Sequence, residues 1–183
     1  MLRLYSQLIG RPIRVKELKT TLARAMDLAM DPDRGTLAAL HTTRREVIAP
    51  VDIRAYEDDI WWIKDTDAFI EEESLIRLQS IPKKRRHLWG KRVESRDGDY
   101  LGRVADFVVE MGTLSLVQLY VKKKFAFFWV LEKRIIQFKE IVEIKDDVII
   151  VKNNLLTDPE RLQDFFRLQA QIEAPAPLAS MDK

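Results

Sequence analysis

VIAPVDIRAYEDDIWWI (residues 47–63) and IIQFKEIVEIKDDVIIV (residues 135–151) lie on each other without a gap. Ile48, Ile53, Asp58 and Asp59 recur as Ile136, Ile141, Asp146 and Asp147, and Val47, Asp52, Tyr56 and residues 60–63 keep their type. Outward from this match, LARAMD (22–27) falls on LGRVAD (101–106), and LIGRPI (8–13) on LWGKRV (88–93). Leu37 and Leu40 fall on Leu116 and Leu119. The offset is 80 residues at the start, 79 in the middle and 88 at the end. A repeat of this length marks one structural unit built twice. The second copy holds about nine extra residues between Leu119 and Ile135, within the stretch KKKFAFFWVLEKR (122–134).

Each copy reads as short strands joined by turn chemistry. GKRVES and YLGRVADFVVE flank Arg96-Asp97-Gly98-Asp99, and Asp-Gly between apolar runs signals a hairpin. LVQLYV alternates with period two, and Asp146-Asp147 separates IVEI from VIIV. In the first copy Asp31-Pro32-Asp33-Arg34-Gly35 supplies a turn, with proline fixing φ and glycine tolerating positive φ. Short strands at this spacing predict a small barrel. A helix is expected after each: AFIEEESLIRLQS capped by Asp67, and a segment opening Thr157-Asp158-Pro159-Glu160 as a capping box. The expected organisation is a first unit with its helix over 1–81, a basic linker over 82–87, a second unit with its helix over 88–173 and a disordered tail over 174–183.

The second copy, with G-K-x-V, then x-D-G-x-x-L-G-x-V-x-D, then R-I-I-x-F-x-x-I-x-x-I-x-D-D-x-I-I-V, resembles the PRC-barrel family. That small barrel is shared by the photosynthetic reaction-centre H subunit and the ribosome maturation factor RimM. The first copy is more divergent: Ala23 stands where the second has Gly102, and KELKTT replaces the Asp-Gly turn. The resemblance implies a mainly β chain of two tandem PRC-type barrels. It further implies a non-enzymatic, cytoplasmic adaptor or scaffold that binds a protein partner, docking peripherally on a membrane complex. The alternative is an RNA- or ribosome-associated factor. Two equivalent units in one chain are expected to pair about a pseudo-two-fold axis as an internal pseudo-dimer, with homo-oligomerisation as the alternative.

Composition bounds the rest. The 183 residues are 46% hydrophobic and 33% charged with a net charge of +2, a globular balance without a global nucleic-acid field. Residues 1–80 carry 12 Lys/Arg against 14 Asp/Glu, and residues 81–183 carry 19 against 15. No signal peptide is visible, and the longest apolar run, from Phe125 to Leu131, falls far short of the roughly 20 residues a spanning helix needs. The chain has no cysteine, so disulfides and thiolate sites are excluded. His41 and His87 are the only histidines, and neither sits in a zinc-binding spacing. Asp58-Asp59 and Asp146-Asp147 read as turns rather than metal or acid–base pairs, and no cofactor, metal or catalytic constellation is expected.

The candidate contacts are therefore surface features. Lys122, Lys123 and Lys124 with Phe125, Phe127, Phe128 and Trp129 read as a lengthened hairpin that meets protein, single-stranded nucleic acid or an anionic membrane surface. Trp61 and Trp62 are further partner candidates, one expected to enter the core and one to face outward. Lys83, Lys84, Arg85 and Arg86 are nucleic-acid candidates against the plainer reading of a solvated, flexible linker.

Overall fold

The computed structural model describes residues 1–18, 20–125 and 129–153. The first half of the chain runs β1 (Leu2–Leu4), α1 (Tyr5–Leu8), β2 (Pro12–Val15), β3 (Ala23–Met30), β4 (Leu37–Thr42), β5 (Val47–Ile48), β6 (Ile53–Glu57), β7 (Ile60–Ile63) and β8 (Phe69–Ile70). Two short helices, α2 (Ile76–Gln79) and α3 (Lys83–Arg86), lead into the second half. There follow β9 (Arg92–Ser95), β10 (Tyr100–Glu110), β11 (Ser115–Phe125), β12 (Trp129–Gln137), β13 (Ile141–Ile144) and β14 (Val148–Val151).

These strands form two sheets with one plan. The first has the order β6-β7-β2-β3-β4-β5-β8, and the second β13-β14-β9-β10-β11-β12 with β1 paired on β10. Each sheet contains one parallel pair. Ile13 lies opposite Trp61 in the first, and Val93 opposite Ile149 in the second, positions separated by the same offsets as the sequence repeat. Each carries a bulge at the same place, between Ala25 and Asp27 and between Val104 and Asp106. In both, the bulge aspartate turns its carboxylate onto the next backbone N–H, Leu28 or Phe107, at 2.8 Å. The bulge bends the strand and increases its twist.

Neither sheet closes into the barrel expected from the strand pattern. The physical reason lies in one connection. The chain leaves β5, next to the edge strand β8, or the edge strand β12, and must start β6 or β13 at the opposite edge. Residues Pro50–Asp52 and Phe138–Glu140 make that crossing as single 3₁₀ turns. The sheets curl until a few residues span the gap, but a 3₁₀ turn bonds within itself and offers no ladder to join the edges.

The two sheets meet at one antiparallel bridge, Thr36 to Ser115. Leu37 N–H donates to Leu114 O at 2.8 Å, and Leu116 N–H donates to Gly35 O at 2.7 Å. Gly35 and Leu114 are repeat equivalents, as are Leu37 and Leu116, so the two bonds exchange under the repeat. The bridge marks a pseudo-two-fold axis between the halves. A second reciprocal pair flanks it. Ser6, before β2, bonds Asp106 of the other sheet at 2.5 Å, and His87, before β9, lies 2.5 Å from Asp27. One apolar core runs through both sheets, with Leu8, Leu28, Leu40 and Trp61 from one half and Phe107, Leu119, Ile136 and Ile149 from the other, all at 1% exposure or less. Burial of this kind contributes roughly 1.5–3 kcal/mol per large side chain.

The segments between the sheets differ from expectation. Residues 67–79 do not form one helix: Thr66–Ala68 is a 3₁₀ turn capped by Asp65, Phe69–Ile70 pairs with Val47–Ile48, Glu72–Ser74 is a second 3₁₀ turn, and α-helix spans only Ile76–Gln79. Phe69 is 8% exposed beneath the Arg44 guanidinium, 4.4 Å from its ring centroid, and this burial and the pairing with β5 outweigh local helix preference. The linker is not a solvated tether either. Its residues 83–86 form α3, and the Arg86 side chain is buried, bonding Ile81 O and Glu72 at 2.7 Å each. The second expected helix and the tail lie outside the described residues.

Candidate functional site

Side chains converge at several places on the described surface. One is a groove of about 930 Å³ at the seam between the sheets. Its floor is β6, all five residues of which line it, and its walls are Ala49–Val51 on one side and Met111–Leu114 on the other. Val51 is 77% exposed and Met1, at the rim, 55%. Strand β6 is also the outer edge of its sheet. Apart from Ile53 N–H, which closes the preceding turn, its backbone bonds only to β7 among the described residues.

At the equivalent edge, β13, the last carbonyl and the turn that follows are held by side chains. Arg85 Nε donates to Ile144 O at 2.7 Å, and Lys91 Nζ donates to Lys145 O and Asp146 O at 2.7 Å and to Lys84 O at 2.6 Å. Lys91 thus satisfies three carbonyls with its three protons while only 7% exposed. Burial pulls its ammonium down to about 8, opposed by the Asp146 and Asp147 carboxylates. Its counterpart Arg11 bonds Gln7 O and reaches Asp59 at 3.4 Å, leaving the β6 carbonyls uncapped.

A titratable cluster stands at the seam. Asp27 lies between His87 Nδ1 at 2.5 Å and the Tyr5 hydroxyl, which donates to it at 2.8 Å. Burial pushes the Asp27 carboxyl up, but His87, Tyr5 O–H and Leu28 N–H together hold it below the usual carboxylate range. His41, directly opposite Asp27 in the ladder, has its ring 5.9 Å from that of His87. Its Nε2 is buried without a hydrogen-bond partner among the described residues. Burial pulls the His41 imidazole below its ordinary value. No group of three or more His, Asp or Glu among the described residues is arranged to hold a metal ion. No described helix is long and apolar enough to cross a membrane.

The residues singled out from sequence are scattered by the fold. Trp61 is fully buried, donating its indole N–H to Leu8 O at 3.1 Å, while Trp62 is half-buried on the other face. Asp58 and Asp59 both take positive φ, +51° and +59°, and close the β6–β7 turn. Of the basic linker residues, Lys83 and Lys84 expose their side chains, whereas Arg85 and Arg86 bond inside the seam. The 122–134 stretch forms a lengthened hairpin: Lys122, Lys123, Lys124 and Phe125 pair with Lys133, Glu132, Val130 and Trp129. Phe127 and Phe128 lie outside the described residues. The β6 edge and Val51 escaped the sequence reading because edge status depends on which strands pair, a property of distant segments. Trp89 escaped it too, although a tryptophan where the first copy has Ile9 was a visible signal.

The family model of the PRC-barrel domain matches residues 84–155, the span from α3 through β14. Comparison with curated proteins gives no match.

Proposed function

We propose, from the premise of a PRC-barrel domain over residues 84–155, that this chain is a protein-binding adaptor built from two such units, paired as an internal pseudo-dimer. The shared strand order, register offsets and bulge positions support the second unit. The binding surface in this reading is the seam groove. The single observation that carries it is the β6 edge lying in an apolar groove with no described side chain bonded to its backbone, whereas the matching edge β13 has its Ile144 carbonyl capped by Arg85. An unpaired edge presents a row of N–H and C=O groups, which an extended segment of a partner completes as an added strand, with Val51 and Leu114 flanking its side chains. The reading makes the chain a scaffold rather than an enzyme, docked peripherally on a larger protein complex.

A photo-crosslinking amino acid at position 51 tests this, with the same group at exposed Met26 of β3 as the control. A discrete adduct from position 51, absent from 26 and lost in Ile53→Asp, is the expected result. Equal labelling from both positions overturns it.

A further inference from the structure

Four cations stand side by side across four strands of the second sheet. Arg92 of β9 lies opposite Arg103 of β10, Arg103 opposite Lys122 of β11, and Lys122 opposite Lys133 of β12. Residues directly opposite in a ladder share a face, and strands lie about 4.8 Å apart, so the row runs ~14 Å over the outer surface. The alternate residues Val93, Val104 and Val121 are buried in the core beneath. Like charges placed opposite one another destabilise a sheet. Arg92 is offset nearby, by Glu94 at 2.5 Å. Arg103 donates to Gly90 O at 2.9 Å, and neither it nor Lys122 forms an ion pair among the described residues. Glu132 is held by Arg134, on the strand beside the row.

The row borders a concavity of about 550 Å³ whose lining includes Trp89, Tyr100, Arg103 and Lys122. Trp89 is 63% exposed, yet its indole N–H is fixed on Ala105 O at 3.1 Å, so a large apolar ring is held out in water. Tyr100 is 37% exposed under the Arg92 guanidinium, 5.4 Å from its centroid. Gly102 lets the row assemble: with φ at +132° it approaches β11 so closely that a Cβ would lie 2.6 Å from Lys122 O. The fold does not require any of this. The first copy has Ile9, Pro12, Thr21, Arg24, Thr43 and Arg45 at the matching positions, two cations and no aromatic ring.

We infer that this face binds single-stranded nucleic acid, a role beyond protein docking at the seam. Its ligand must supply negative charges and flat π-faces in one repeating unit, which phosphate and base do, and cations with interleaved aromatic rings are the chemistry that takes them. The concavity admits a base beside Trp89 or Tyr100, whereas a bilayer surface presents nothing to enter it.

The probe is a fluorescein-labelled twelve-nucleotide oligouridylate, titrated by anisotropy with the full chain from 50 to 300 mM salt. Phosphate contacts by Arg103 and Lys122 on a single strand give a log–log salt slope of about −1.4. Arg103→Gln with Lys122→Gln is expected to weaken binding at least tenfold and flatten the slope. Trp89→Ala is expected to weaken it with the slope unchanged, and, since Trp89 is exposed, with thermal unfolding near wild type. No binding, or variants that bind like wild type, overturns the inference. So does binding to vesicles of anionic phospholipid, but not to the oligonucleotide, with the same residue dependence.

Discussion

The two sides of the Thr36–Ser115 bridge are built from equivalent residues and end in opposite states. On one side Phe138 packs its ring against Gly35, so closely that a Cβ there would lie 2.4 Å from the ring. On the other side Leu114 stands for Gly35, also at positive φ, and Pro50 stands for Phe138. The first side is closed by an aromatic ring, and beside it Arg85 caps the last carbonyl of β13 while Lys91 holds the turn after it. The second side opens into the groove. A duplicated unit needs one interface to hold its halves together. The lesson is that equivalent faces differ at a few positions, one filled by an aromatic ring and its counterpart left open.

The largest test of that asymmetry is Lys91. Replacing it with methionine strands three carbonyls, and a loss on the order of 3 kcal/mol in urea unfolding is expected. Arg11→Met, at the equivalent but half-exposed position, should cost under about 1 kcal/mol. Equal losses would mean that the two edges are not differently capped.

Gly35→Ala comes next. It combines a positive φ of +65° with the clash on Phe138, and a destabilisation of about 2 kcal/mol is expected by the same measurement. Adding Phe138→Ala should make the second change cheaper than it is alone, since the clash is gone. Strict additivity would show that the ring is not what Gly35 accommodates.

The smallest effects are in the pH dependence. His41 titrates below its ordinary value in the folded chain, so the unfolded chain takes up the proton first as pH falls. Its contribution is complete above the unfolded value near 6.5 and is lost as pH drops through the folded one. Asp27, also lowered, loses its contribution further down, below the ordinary carboxylate range. Thermal unfolding should therefore fall in two acid steps. His41→Gln should remove the upper step, and Asp27→Asn the lower one. A melting temperature flat from pH 7 to 5 in the wild type would break the first assignment.

Much of the repeat was legible because its signals are local. Period-two alternation, Asp-Gly and Asp-Asp turns and the ungapped 17-residue match lie within a few residues of one another, and they placed β9–β14 and the lengthened hairpin. The turn reading of Asp58-Asp59 held for the same reason: a two-residue hairpin loop needs positive φ, which aspartate tolerates. Other features answer to segments far apart in the chain. Leu2–Leu4 leaves its own copy to pair with β10, at Glu110, Val109 and Val108. The run Lys83-Lys84-Arg85-Arg86 looks like a charged patch in one dimension, but half of it is spent capping carbonyls and a carboxylate inside the seam. The cation row is made instead of Arg92, Arg103, Lys122 and Lys133, no two adjacent in sequence, which only cross-strand register aligns. Sequence by itself determined most of the strands, their turns and the internal repeat, because backbone preference and side-chain alternation act over a few bonds. Tertiary structure alone decided that the sheets stay open, which edge is capped and which cations meet, because ladder pairing depends on residues brought together from across the chain.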